Sequence, residues 1–196
     1  MRSVQRSISR CELPGDALLR KYVAMGAYTD CYATEIATSP SLAAFVEGFY
    51  TSAGFRPERL ALWLIGKPSS DSDARRLARG EADVFAAWSV EARAPDQLLL
   101  CDFLRRTRSW LMIAPIEGGG VRLYFGTAIV PVGIGSGEGR LGFPFNALLG
   151  FHKLYSRILL GAARSRVLRP VGSTSASKRT EFAPRRYGIS PQSRDR

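Results

Sequence analysis

Apolar positions along this chain change their period twice. In TSPSLAAFVEGFYTS, Leu42, Phe45, Val46 and Phe49 recur at helical spacing behind a Ser or Thr cap, which predicts a helix with one buried face. RPERLALWLIG predicts a second helix, with Pro57 near its start, Leu60, Trp63 and Leu64 on an apolar face, and Gly66 as its stop. From Ala82 the pattern becomes that of strands: DVFAAWSVEAR, QLLLCDF, TRSWLMIAPI and VRLYFGTAIVP, separated by APD, the arginines 105 and 106, and EGGG. Four such segments with short links predict an antiparallel meander. Helical spacing returns from Phe145 to about Val167, where Leu148, His152, Tyr155, Ile158, Leu159 and Ala162 form one stripe. A stripe of that length must be buried, and the meander is the only large surface available.

The remaining stretches complete an α+β outline. GDALLRKYVAMGA reads as a short helix or a docking arm, and AYTDCYATEIA, residues 27–37, as a strand rich in Tyr, Thr, Cys and Ile. KPSSDSDARRLARGE reads as a polar connector with a helical turn at its end, in which Asp71 and Asp73 cap or solvate the backbone. VGIGSGEGRLGFP reads as a Gly-rich loop. The expected fold is therefore an antiparallel sheet packed on a long C-terminal helix, with two short helices after the first strand.

Composition changes this picture only at the ends. A chain of 196 residues, 45% apolar, fits one domain with a substantial core plus its flanks. The formal charge is +11, but residues 164–196 hold nine Lys/Arg against Glu181 and Asp195, which leaves +4 for the rest. That excess sits in a segment of Ser, Arg, Pro and Thr with too few large apolar residues to offset ordering, so residues 169–196 are expected to be a disordered basic tail. Its KR and RR pairs would attract phosphates in a salt-sensitive way, with Phe182 and Tyr187 alone to stack on bases, so contact with nucleic acid or an anionic membrane is not the favoured reading. Cys11, Cys31 and Cys101 are odd in number and lack the spacing of a zinc knuckle or redox pair, which fits a reduced, cytoplasmic chain. No uncharged apolar run reaches about 18 residues, so no transmembrane segment is expected. MRSVQRSISR has the bias of a transit peptide without the apolar core of a secretion signal, and reads more simply as a frayed end of an arm over residues 1–25.

The succession TDCYATEI, FVEGFYTSAGFRPERLALWLIG, DVFAAWSVEAR, QLLLCDFLRRTRSWLMI, RLYFGTAIVP and LLGFHKLYSRILLGAAR resembles a bacterial family known as domain of unknown function 2867. The resemblance covers about residues 26–165, and TRSWL, LYFGTAIVP and LLGFHKLYSRILL are its most specific parts. That family is similar in outline to the helix-grip proteins of START and polyketide-cyclase type, in which a curved antiparallel sheet wraps a long C-terminal helix around an apolar cavity. The resemblance implies a helix-grip-like domain over residues 26–168. About five strands are countable here, fewer than the full helix-grip set, and the family brings no catalytic residues to carry over.

In such a domain one sheet face and the stripe of the last helix would line the cavity. The candidate ligand-binding residues are then Trp88, Trp110, Tyr124 and Tyr155, with Asp102, Arg108 and His152 as polar anchors. Each aromatic competes with plain core packing, and Arg105 and Arg106 read as exposed turn residues. Period-two spacing puts Leu98, Leu100 and Asp102 on one face and Arg108, Trp110 and Met112 on one face, which suggests a cross-strand Asp102–Arg108 ion pair. His152 is the only histidine, so no His-based metal cluster forms. GIGSGEG lacks the Lys-Ser/Thr ending of a phosphate loop, and Ser109 lacks a nucleophile elbow. No catalytic motif and no cofactor signature is present. The favoured function is binding of a small apolar or amphipathic ligand. The alternatives are a cyclase- or dehydratase-type enzyme using Asp102, His152 or Tyr155 in the same pocket, and a basic adaptor acting through its tail.

Overall fold

The computed structural model describes residues 7–130 and 143–169, with the helical backbone alone for 143–153. The chain begins with β1 (Ser9–Arg10) and α1 (Arg20–Ala24), then β2 (Tyr28–Ile36). Three helices follow, α2 (Leu42–Tyr50), α3 (Arg56–Leu64) and α4 (Asp71–Arg79), with a 3-10 turn (Ala53–Phe55) leading into α3. The strands β3 (Val84–Phe85), β4 (Trp88–Ala94), β5 (Gln97–Asp102), β6 (Thr107–Pro115) and β7 (Val121–Ile129) come next, and α5 (Phe143–Val167) closes the fold. The expected Gly-rich loop and basic tail fall at 131–142 and 170–196, outside the described residues.

The seven strands among the described residues form one antiparallel sheet in the order β1-β2-β7-β6-β5-β4-β3. The meander is present as expected, and β2 returns from before the helices to pair with β7 along its whole length, Tyr28 opposite Ile129 through Ile36 opposite Val121. Two strands exceed the expected five. β1 comes from the arm, and DVFAAWSVEAR is split at Ala86 and Ala87, where Ala86 takes φ +52° and turns the chain back on itself. A β-branched residue there would resist that backbone conformation; alanine is the least obstructive residue with a Cβ.

The helical face carries the larger core. Ser41 caps α2 by accepting a hydrogen bond from Ala44 N, and Phe45, Val46, Phe49 and Tyr50 then point at the sheet. They meet Tyr32, Ile36, Leu98, Leu100, Leu111, Leu123 and Phe125 from the strands and Leu159, Leu160 and Ala163 from α5. α5 approaches α2 closely because Gly48 has no side chain: a Cβ there would sit 3.1 Å from Val167 Cγ2. The polar connector is in fact the full helix α4. Ser70 and Asp73 make a reciprocal capping box, Gly80 ends the helix at φ +75°, and Ala74, Leu77 and Ala78 are buried.

α3 is a helix as predicted, but its apolar stripe is not buried. Leu60, Trp63 and Leu64 are 60%, 61% and 70% exposed, and the residues turned towards the protein are Glu58, Arg59 and Leu62. Hydrophobic spacing identified the helix correctly and its inner face wrongly.

The arm covers the other face of the sheet. Ala17, Leu19 and Tyr22 pack on Cys31, Ala33, Leu99, Trp110, Met112, Tyr124 and Ala128. Trp110 fits because β7 has a glycine beside it: a Cβ on Gly126 would lie 2.9 Å from Trp110 Cε3 and 3.0 Å from Leu19 Cδ2. Among the described residues no helix is long and apolar enough to cross a membrane.

Candidate functional site

A cavity of about 150 Å³ lies on the helical face, between the sheet and the helices α2, α3 and α5. Its floor is apolar and buried, made by Phe49, Phe55, Phe125 and Leu159. Ser109, Thr127 and Ser156 add three buried hydroxyls, and Glu58, Trp88, Thr107 and Tyr155 form a half-buried polar rim.

Local structure places each of these groups. Glu58 sits in the first turn of α3, just after Pro57, where a carboxylate also suits the positive end of the helix dipole. It accepts hydrogen bonds from Trp88 Nε1 at 3.1 Å and from Tyr155 OH at 3.2 Å, so one carboxyl joins α3, β4 and α5 at the rim. Burial pushes the Glu58 carboxyl above the usual carboxylate range, and the Trp88 and Tyr155 hydrogen bonds pull the other way. Burial and the neighbouring Glu58 carboxylate hold the Tyr155 phenol well above its ordinary value. Deeper in, Ser109 Oγ and Tyr50 OH are 3.2 Å apart, and Thr127 donates to Asp30 at 2.6 Å. Ser156 Oγ is fully buried on α5 and has no hydrogen-bond partner among the described residues.

Of the seven residues expected to line a pocket, the structure brings together Trp88 and Tyr155. Trp110 and Tyr124 are on the opposite face under the arm, with ring centroids 6.1 Å apart. Arg108 is also on that face. Its Nε donates to Tyr22 OH at 2.6 Å and to Glu91 at 2.5 Å, its Nη1 donates to Arg105 O at 2.9 Å, and its guanidinium stacks 4.8 Å from the Tyr22 ring. Lys21 joins the same carboxylate. Burial works against ionisation of Glu91, yet Lys21, Tyr22 and Arg108 hold it below the usual range, while burial and the Glu91 hydrogen bond push the Tyr22 phenol up to about 12. Arg108 thus fastens the arm to the sheet. The His152 side chain lies outside the described residues.

The expected Asp102–Arg108 ion pair does not form, and the reason is register. β5 and β6 pair Cys101 with Arg108 and Leu99 with Trp110, so odd positions of β5 share a face with even positions of β6. Asp102 belongs to the other parity. Its carboxylate instead shapes the turn, accepting from Arg106 N at 2.7 Å and Thr107 N at 2.9 Å.

Glu58, Ser109, Thr107, Thr127 and Ser156 were not anticipated. Glu58 reads in sequence as an ordinary first-turn carboxylate on the polar side of α3, and only the inversion of that helix turns it inward. The one available signal was its position four residues before Leu62, the half-buried apolar residue of α3. Among the described residues no group of three or more His, Cys, Asp or Glu side chains is placed to hold a metal ion.

Glu58 can accept further hydrogen bonds, because an ionised carboxylate offers about four lone-pair directions and two are used. Together with the unpartnered Ser156 hydroxyl it gives an apolar cavity two polar points of reference. Comparison with known proteins finds no matching family model, no significantly similar curated protein and no significantly similar solved structure, so the reading of this site rests on its own residues.

Proposed function

We propose that this chain is a ligand-binding domain of helix-grip-like architecture that holds a small apolar or amphipathic molecule between its sheet and its helices. The architecture is supported by the strand order, with β2 beside β7, the helices α2 to α4 inserted before the meander, and α5 after it. The observation that carries the function is the cavity of about 150 Å³ with aromatic walls, a buried carboxyl at its rim and an unpartnered buried hydroxyl inside. A void of that size accommodates roughly one benzene-sized ring. A ring or short chain bearing a hydroxyl or amine would place its apolar part against Phe49, Phe55 and Phe125 and donate to Glu58. Asp102 and Arg108 have no part in this site.

Phenol is a suitable probe. Titrated into isotope-labelled protein, it should shift the Trp88 indole N–H and the amides of Ser109, Phe125 and Thr127, and Phe125→Trp, which fills the void, should abolish those shifts while leaving the spectrum dispersed. Shifts confined to the Trp110 indole on the arm face, or none at millimolar phenol, would overturn the reading.

The enzymatic alternative now centres on other residues. A buried carboxyl with a raised pKa, 3.2 Å from a phenol, is a plausible proton-transfer pair for a cyclase or dehydratase. Catalysis requires that a bound molecule leave chemically changed, by loss of water or by ring closure, and that Glu58→Gln stop the change without stopping binding. Polyanion binding by residues 170–196 is a separate reading, tested by deleting them and measuring retention on heparin.

A further inference from the structure

The sheet edge that receives the arm holds two thiols in contact. β1 pairs Ser9 with Ala33 and Arg10 with Tyr32, and the next rung is Cys11 opposite Cys31, with Cys11 N donating to Cys31 O at 3.0 Å. The two Sγ atoms are 3.3 Å apart. Directly opposed antiparallel residues lie about 4.5–5.5 Å apart at Cα, within the roughly 4.4–6.8 Å that a disulfide spans. Little backbone movement separates this pair from a bond.

The two cysteines are not equivalent. Both line a groove of about 550 Å³ with Arg10, Glu12, Leu13, Arg20, Val23, Thr29 and Asp30, but Cys31, on β2, is buried, whereas Cys11 is half-buried and the more accessible of the two. The hydrogen bond with Cys31 lowers the Cys11 pKa most; burial opposes this and the positive charge of Arg122 assists it. The same hydrogen bond, then burial, holds Cys31 as the thiol. Exposure points the same way, because a negative charge on the half-buried Cys11 keeps more of its hydration than one on the buried Cys31. Cys101, the third cysteine, is buried at a distant strand end, and burial raises its pKa.

We propose that Cys11 and Cys31 form a thiol–disulfide exchange site for low-molecular-weight disulfides, with Cys11 attacking and Cys31 resolving. The groove is lined by Arg10 and Arg20 together with Glu12 and Asp30, so the access it gives to Cys11, and not a net charge, admits a small disulfide. The Cys11 thiolate attacks one sulfur of R–S–S–R, forms a mixed disulfide and releases R–S⁻, which takes up a proton. The Cys11 charge is then gone, and with it the main cause that kept Cys31 protonated. Cys31 loses its proton to solvent, attacks Cys11 Sγ and expels the second R–S⁻. In balance, two protein thiols are oxidised and one disulfide is reduced to two thiols. The new bond would close the segment 11–31, which contains α1 and the arm residues Ala17, Leu19 and Tyr22 that pack on the sheet.

Glutathione disulfide is the probe. Incubated with full-length protein, it should produce a species lighter by two hydrogens, and peptide mapping should place the link at Cys11–Cys31. Cys31→Ser should stop at the mixed disulfide on Cys11, and Cys11→Ser should leave Cys31 reduced. In unmodified protein at neutral pH, iodoacetamide should label Cys11 at least ten-fold faster than Cys101, a measurement that needs no variant to fold. The proposal is overturned if Cys101 reacts first, if the product is an intermolecular cross-link, or if all three thiols stay reduced where a free cysteine peptide is oxidised.

Discussion

Gln97 shows how much one polar side chain can organise. It is buried in β5 on the arm face, where its Oε1 accepts from Trp110 Nε1 and from Leu18 N, both at 2.9 Å, and its Nε2 donates to Asp16 O at 3.1 Å. Gln97→Leu removes every partner at once, and each orphaned buried group costs about 1–3 kcal/mol. The denaturant midpoint should fall with the slope unchanged, and the arm should become the first site cut in limited proteolysis. Arg108→Met should likewise loosen the arm by freeing Glu91, while phenol shifts at Trp88 stay as they were; loss of those shifts would return Arg108 to the ligand site. Glu58 makes the opposite kind of prediction. Its pKa is raised in the fold, so the stability it contributes is complete below the ordinary glutamate value and declines as pH rises through the raised one. Glu58→Gln removes that decline. Its stability relative to the parent should therefore increase from pH 4 towards neutrality, and a difference independent of pH would show that the carboxyl is not perturbed.

Among the elements, α3 and α4 invert what their hydrophobic content suggests. α3 exposes Leu60, Trp63 and Leu64, whereas α4, whose sequence DSDARRLAR is mostly charged, buries Leu77 completely. Leu64→Ser should change stability by no more than about 0.5 kcal/mol, and Leu77→Ala should cost about 2–5 kcal/mol. Thermal melts of the two variants compare them directly; equal losses would mean that α3 is packed in solution. The α4 result also explains why a connector rich in Asp and Arg folds at all. Its capping box and left-handed Gly80 define both ends, and three small or medium apolar residues are enough to hold nine residues on α2. The β5–β6 hairpin carries a related lesson. Both strands were readable from period two, but which parity of β5 meets which parity of β6 depends on the turn at residues 103–106, and a one-residue difference exchanges the faces.

At the scale of the molecule, the sheet has two covered faces with different tasks. The helical face holds the cavity, and the arm face holds Trp110, Gln97 and the Arg108–Glu91 pair, which tie the arm down. An occupied cavity should raise the melting temperature with the logarithm of ligand concentration above Kd, and Ser156→Ala should raise it without ligand, since it removes an unpartnered buried hydroxyl worth about 1 kcal/mol or more. If Ser156→Ala is destabilising instead, that hydroxyl has a partner in solution. Oxidation of the Cys11–Cys31 pair should also protect the arm, because it closes a loop of comparable length to those that contribute about 3 kcal/mol.

The helices α2 and α3, the antiparallel meander and the strand at 27–37 were determined by the sequence alone, because hydrophobic period, caps and turn residues act over a few positions, whereas α4, β1 and the break between β3 and β4 emerged only in the structure. The site was not determined that way. Trp88 and Tyr155 were visible as aromatics on the right elements, but Glu58, Ser109 and Ser156 enter the cavity through the orientation of α3, the face assignment of β6 and the docking of α5. The third dimension likewise put Cys11 against Cys31, twenty residues apart, and separated Asp102 from Arg108, six apart. Local pattern decides which element forms; register and helix rotation decide which side chains meet, and both are set by contacts between residues far apart in the chain.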